Sequence, residues 1–348
     1  MCIVDPNFYD SHGNPKNVDV SKTRICVSPC QDANRQLTVY ANSVDLDASG
    51  VPAAMILPVP NKSGRGSEVR MMDTRDDPDG KKLFDPLRDM FPKFTMFTNS
   101  NSWGMQAQSN SLTDETLEVL ECGSYIYSVV PTLNDFDRLD KAKLGGGRPS
   151  PRVYSVLRER YSDGFSFLVC KLSESSAYHP IAYTHPIVQK NDRSIMFVPT
   201  FHEHGEEELG DFVAYSSPNT SPDWDHEIFA LGVDDTSRFG EKSPYADTYK
   251  SNRFTSSLPM SYSRELPAKL SVAGMRRLEL HGRKYPNQDI NVLSSAQHVA
   301  LPNPTPTPLP RALSRPVPNI NTLSVDAKQT FAQAPAPSMF SRLFARSS

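Results

Sequence analysis

The sequence has no long apolar run, and no stretch approaches the roughly 18 consecutive apolar residues that a membrane-spanning helix needs, so no transmembrane segment is expected. The first 29 residues hold no basic stretch followed by a continuous apolar one, so no secretory leader is expected either. Several short signatures of familiar chemistries are missing: a Gly-x-Ser-x-Gly elbow, a dinucleotide-binding glycine fingerprint, and a kinase-type lysine and catalytic loop. The triglycine Gly145-Gly146-Gly147 is not followed by the Lys-Ser or Lys-Thr of a phosphate loop and reads as a hinge. These absences lower the expectation of an enzyme and favour a structural or interaction role.

Positive charge in surplus is absent too. The net charge of -3 divides along the chain into about -10 over residues 1–265, about +3 over 266–301 and about +4 over 302–348. An acidic body does not suit the neutralisation of phosphates, so no nucleic acid is expected as the body's ligand. Apolar residues make up 38% of the chain, enough for a core but low for a fully compact one. The 30 prolines point the same way, since proline breaks helix interiors and central strands. The five cysteines (Cys2, Cys26, Cys30, Cys122, Cys170) leave at least one thiol unpaired. Together with the missing leader, this gives an expectation of an intracellular protein, soluble or assembly-associated, with reduced thiols.

Periodicity predicts an α+β body dominated by strands, with mainly antiparallel sheets and a few short helices. Strands are expected at residues 23–27, 36–44 and 53–59, joined as an antiparallel meander, with Pro58 and Pro60 stopping the third. Helices are expected at 84–91, where Phe84, Leu87 and Phe91 share a stripe, and after Ser150-Pro151, where Val153, Leu157 and Tyr161 recur every four residues. Residues 161–185 read as a buried hairpin launched by Asp163-Gly164, with apolar residues on both strand faces. The expected organisation is an N-terminal arm at 1–22, a globular body at 23–235, a loop-rich, partly ordered extension at 236–301, and a disordered, proline-rich basic tail at 302–348.

The order of motifs resembles an uncharacterised bacterial family of exported proteins that carries a Trp-Val-Leu-Pro-Val-Pro-like strand end. The matching residues are Ile56-Leu57-Pro58-Val59-Pro60, followed in the family's order by Gly123-Ser124-Tyr125, Leu139, the stretches 161–167 and 169–172, and His179-Pro180-Ile181. The likeness spans about residues 23–200. It departs from the family in lacking a leader before Cys26 and Cys30, and in carrying Met55 where the family has an aromatic residue. The resemblance implies an architecture and no mechanism.

Three clusters are candidates for chemistry. His202 and His204 flank Glu203, with Glu206 nearby, and on an extended segment alternate residues share one side, so both imidazoles could reach one zinc ion. A further ligand would have to come from elsewhere in the chain, and a solvated acidic loop is the plainer reading. Cys26-x3-Cys30 has no second pair to complete a zinc site, which leaves free thiols or, in an oxidising compartment, a disulfide. Cys2 would be an N-terminal nucleophile if Met1 were removed, although Ile3-Val4-Asp5 is not the usual sequel. No cofactor other than a possible zinc is expected, and the competing enzyme class is a metal-dependent or N-terminal-cysteine hydrolase.

The tail carries the positive functional signal. A proline-rich spacer at 302–318 would hold Phe340, Arg342, Leu343, Phe344 and Arg346 away from the body. In a helix the three apolar residues share a face, which suits docking into the groove of a protein partner or larger assembly. Convergence of His179, His185, His202, His204 and Cys170 in one pocket would favour chemistry, and scatter would favour a scaffold.

Overall fold

Strands that are apolar on both faces need cover on both sides, and the chain provides it by stacking two large sheets and covering each outer face. The structure, a computed structural model, describes residues 2–5, 8, 18–32, 34–46, 52–91, 116–144, 148–172, 178–204, 225–234, 239–243, 258–266, 274–281 and 288–295. All of these lie in one compact unit, Met1–Val299. The triglycine and the whole 302–348 tail lie outside the described residues.

In chain order, the first strands are β1 (Cys2–Asp5), β2 (Val18–Pro29), β3 (Arg35–Leu46), β4 (Ala53–Pro60) and β5 (Arg70–Met72), followed by helix α1 (Lys81–Asp89). Strands β6 (Val119–Cys122) and β7 (Tyr125–Val130) lead through a 3-10 turn (Leu133–Arg138) to helices α2 (Lys141–Leu144) and α3 (Pro151–Arg160). Next come β8 (Phe165–Leu172), β9 (Ile181–Pro186), β10 (Val188–Lys190), β11 (Arg193–Val198) and β12 (His202–His204). The remaining elements are β13 (Asp225–Ala230), β14 (Glu241–Lys242), the one-turn helix α4 (Met260–Ser263), β15 (Arg276–His281) and β16 (Ile290–Leu293).

One sheet has six strands in the order β12-β1-β4-β8-β7-β6, and another has seven in the order β14-β15-β13-β2-β3-β9-β5. A three-stranded sheet runs β10-β11-β16. Pairing is antiparallel except at β1 with β12 and β2 with β13. The α+β, strand-dominated, mainly antiparallel class expected from the sequence is the class observed.

Three buried clusters give the layers. The first lies between the sheets, with Met55, Leu57, Leu168 and Cys170 from the six-stranded sheet and Ile25, Tyr40, Tyr183 and Ile228 from the seven-stranded one. The second covers the outer face of the seven-stranded sheet, where Leu83, Phe84 and Leu87 of α1 meet Cys26, Val39 and Phe229. The third covers the outer face of the six-stranded sheet, where Val153, Val156 and Leu157 of α3 meet Ile56, Phe167 and Val169. Both helices start with identifiable caps. Ser150 accepts from the Val153 N–H at the start of α3, with Pro151 in its first turn. Buried Asp77 accepts from the Lys82 and Leu83 N–H groups of α1.

Four expectations need correction. Residues 161–185 are not a hairpin: β8 pairs with β4 and β7, whereas β9 pairs with β3 and β5 in the other sheet. Each strand is apolar on both faces because each is interior to its own sheet. The meander also stops after β2 and β3, and β4, buried at every position, crosses to the six-stranded sheet. Pro58 lies inside β4 and does not stop it; the strand ends at Pro60. The register of β1 with β4 covers only Ala54 to Ile56, so the prolines sit beyond β1's pairing on that side of the strand. Finally, Cys2–Asp5 is a sheet strand and not part of an arm. A strand of four residues is too short to show a period. Strands β14, β15 and β16 fall within the partly ordered extension at 236–301.

Candidate functional site

Among the described residues the seven-stranded sheet carries more of the buried polar side chains than either other sheet, and the densest arrangement is at the entry to β9. His179 is 6% exposed and sits where the segment after β5, the β6–β7 turn and the start of β9 meet. Its Nε2 accepts from the Ser124 backbone N–H at 2.9 Å, which fixes the proton of the neutral ring on Nδ1. That nitrogen lies 2.8 Å from Thr74 Oγ1 and 3.2 Å from the Pro180 carbonyl, and the Thr74 hydroxyl itself donates to that carbonyl. The Tyr125 hydroxyl donates to the His179 carbonyl at 2.6 Å, and its ring meets the imidazole edge-on, with centroids 4.7 Å apart. Gly123 has φ +63°, and a Cβ there would collide with His179 Nε2. Burial pushes the His179 pKa below its ordinary value, opposed by the Pro180 hydrogen bond and by Asp73.

At the other end of the strand His185 is fully buried, with Nδ1 2.9 Å from the Pro186 carbonyl. Its Nε2 has no hydrogen-bond partner among the described residues. Burial pulls its pKa down to about 4, so the ring is neutral at pH 7. Opposite it on β3, Gln36 bridges to the three-stranded sheet: its amide donates to the Phe197 carbonyl at 2.6 Å and accepts from the Phe197 N–H at 2.8 Å. The outer face of the same sheet holds an ion cluster. Glu227 of β13 accepts from Arg88 of α1 at 2.5 and 3.1 Å and from Arg277 of β15 at 2.7 and 3.1 Å. Burial alone would raise the Glu227 pKa, and the two guanidinium groups outweigh it and hold the pKa below the usual range.

Apart from His185 Nε2, these groups are consumed by contacts within the fold. Burial pushes the Cys30 thiol up to about 12 and raises Cys26 and Cys170 further, so all three are thiols and poor nucleophiles at pH 7. All three are free. Cys26 lies within β2 and Cys30 just past its end at Pro29, and four residues at the rise of a strand separate them by about 13 Å, too far for a disulfide.

The candidate residues do not converge. Cys170 sits on β8 and His202 and His204 on β12, three strands away, about 14 Å at the spacing of a sheet. His179 and His185 bracket β9 in the other sheet. Topology does place Cys2 beside His202, since the two are register partners in the parallel pair of β1 and β12. Among the described residues no group of three or more His, Cys, Asp or Glu is placed to hold a metal. Phe340, Arg342, Leu343, Phe344 and Arg346 lie outside the described residues. Sequence reasoning missed Glu227 and Gln36 as anchors. The available signal was a charged or amide residue interrupting an apolar strand, but its partners are 139, 50 and 161 positions away.

No protein-family model matches the chain. Among solved structures the chain is similar to the crystal structure of baculovirus P35, with a TM-score of 0.41 and 12% identity over 84% of this chain and 99% of that one. A likeness at that level carries no argument about fold or function.

Proposed function

We propose that this protein is a non-catalytic structural or interaction protein whose layered body presents a C-terminal docking tail to a protein partner or larger assembly. The observation that supports the reading is the scatter of its histidines and cysteines over two sheets, together with the use of His179, Glu227 and Gln36 in holding elements together. Among the described residues no helix is long and apolar enough to cross a membrane. An intracellular location belongs to the same proposal, as does kinship with the exported bacterial family, and the two pull in opposite directions. The test is affinity purification of the full chain and of a chain ending at residue 334. Loss of a partner on removing 335–348 is the expected result, and unchanged recovery counts against the docking role.

One observation favours a second reading, a hydrolase using an N-terminal cysteine: the register partnership of Cys2 with His202. It requires removal of Met1. Intact-mass measurement showing Met1 retained ends it, and so does full activity of Cys2→Ala on any ester or amide the wild type cleaves.

A further inference from the structure

We propose that His179 is an acid-released latch that holds the β6–β7 turn against the seven-stranded sheet. Among the described residues the turn's other anchor is the Tyr125 ring, which packs in the inter-sheet core and stacks on Tyr178 with centroids 5.6 Å apart. Among the described residues strand β6 is the edge of the six-stranded sheet and pairs with β7 alone, and an isolated bridge between Leu117 and Leu139 lies just before it. The Gly123-Ser124 end of the hairpin is held by the bond from Ser124 N–H to His179 Nε2, by the Tyr125 hydroxyl on the His179 carbonyl, and by the close fit of Gly123 against the ring.

A proton added to His179 goes to Nε2, because Nδ1 already carries one. The acceptor then becomes a donor facing the Ser124 N–H, and the bond is replaced by two opposed donors. The Thr74 and Pro180 contacts on Nδ1 survive, so the ring stays on β9 and the turn is what departs. The charged and titratable groups around the ring are Asp73 and Arg75 beside Thr74, and Cys122, Tyr125 and Tyr178 from the hairpin and the approach to β9. Asp73 and Arg75 are paired with one another at 3.0 Å, which cancels much of their opposed influence on the ring. Cys122, half-buried at the turn, is the side chain that opening would expose.

The test is amide hydrogen exchange of the full chain at pH 7 and pH 5, corrected for the intrinsic rate at each pH, in wild type and His179→Gln. A glutamine keeps an acceptor near Nε2 but does not titrate. Protection over residues 122–126 is expected to fall about tenfold or more at pH 5 in wild type, with β3 and β4 unchanged, and to be independent of pH in the variant. Unchanged protection in wild type, or the same loss in the variant, overturns the latch. Should the glutamine variant fail to fold, nitrogen NMR of the wild-type ring decides. A neutral Nδ1–H ring at pH 7, titrating together with the Ser124 amide, supports the latch, and an Nε2–H ring or an unresponsive Ser124 refutes it.

Discussion

The two ends of β9 carry the same dipeptide, His179-Pro180 and His185-Pro186, and in both the ring Nδ1 faces the carbonyl of the following proline. They differ at Nε2. His179 spends that nitrogen on a backbone amide of the opposite sheet, whereas His185 keeps it buried with no partner among the described residues. The difference teaches that identical local sequence sets only the near side of a histidine. The far side is set by whatever the fold brings up, and it decides whether protonation opens one contact or strains the whole core.

The largest expected effect comes from acid at His185. Its folded pKa of about 4 lies below the ordinary 6.5, so the stability it contributes is complete above pH 6.5 and lost as pH falls toward 4. The full loss is about 3 kcal/mol. Urea midpoints measured between pH 7 and pH 4 should show it, and His185→Phe should flatten that slope. Somewhat smaller is Gly123→Ala, which adds left-handed strain to a collision with His179 and should cost about 2 kcal/mol in the same assay at pH 7. His179→Ala leaves the Ser124 N–H and Thr74 without their ring partner and should cost about 1 to 2 kcal/mol. Least is Thr74→Val, about 1 kcal/mol, because the Pro180 carbonyl keeps the His179 ring as a donor. Equal costs at the two histidines, with equal pH slopes, would erase the distinction.

Glu227 marks a separate and more acidic window. Its folded pKa is depressed, so its contribution is present above the ordinary carboxylate range and lost as pH falls through the folded value. Glu227→Ala should cost about 2 kcal/mol, reduced from the fully buried case because Arg88 is partly in water, and should steepen unfolding only at the α1 face.

The fold class, the two helices and most strand positions were legible because periodicity is local. The sheet memberships were not. Nothing in residues 161–185 distinguishes a hairpin from a crossing between sheets, since apolar residues on both faces fit an interior strand in either. Pro58 misled because its tolerance depends on how far a four-residue strand, β1, reaches along β4. At the site, His179 was visible as a histidine before a proline, but its partners Thr74 and Ser124 are 105 and 55 positions away, and only the fold could supply them. The His202 and His204 candidate was read from spacing alone, and spacing does not provide a third ligand.

The proposed function divides labour between a body whose polar residues hold it together and a tail proposed to meet the partner. The most direct test is one affinity purification run in parallel on His185→Phe, Glu227→Gln and the double variant Phe340→Ala, Phe344→Ala, each first shown to be folded. The two body variants are predicted to recover the same partner as wild type and the tail variant to lose it. Recovery by the tail variant, with loss in either body variant, would contradict the account.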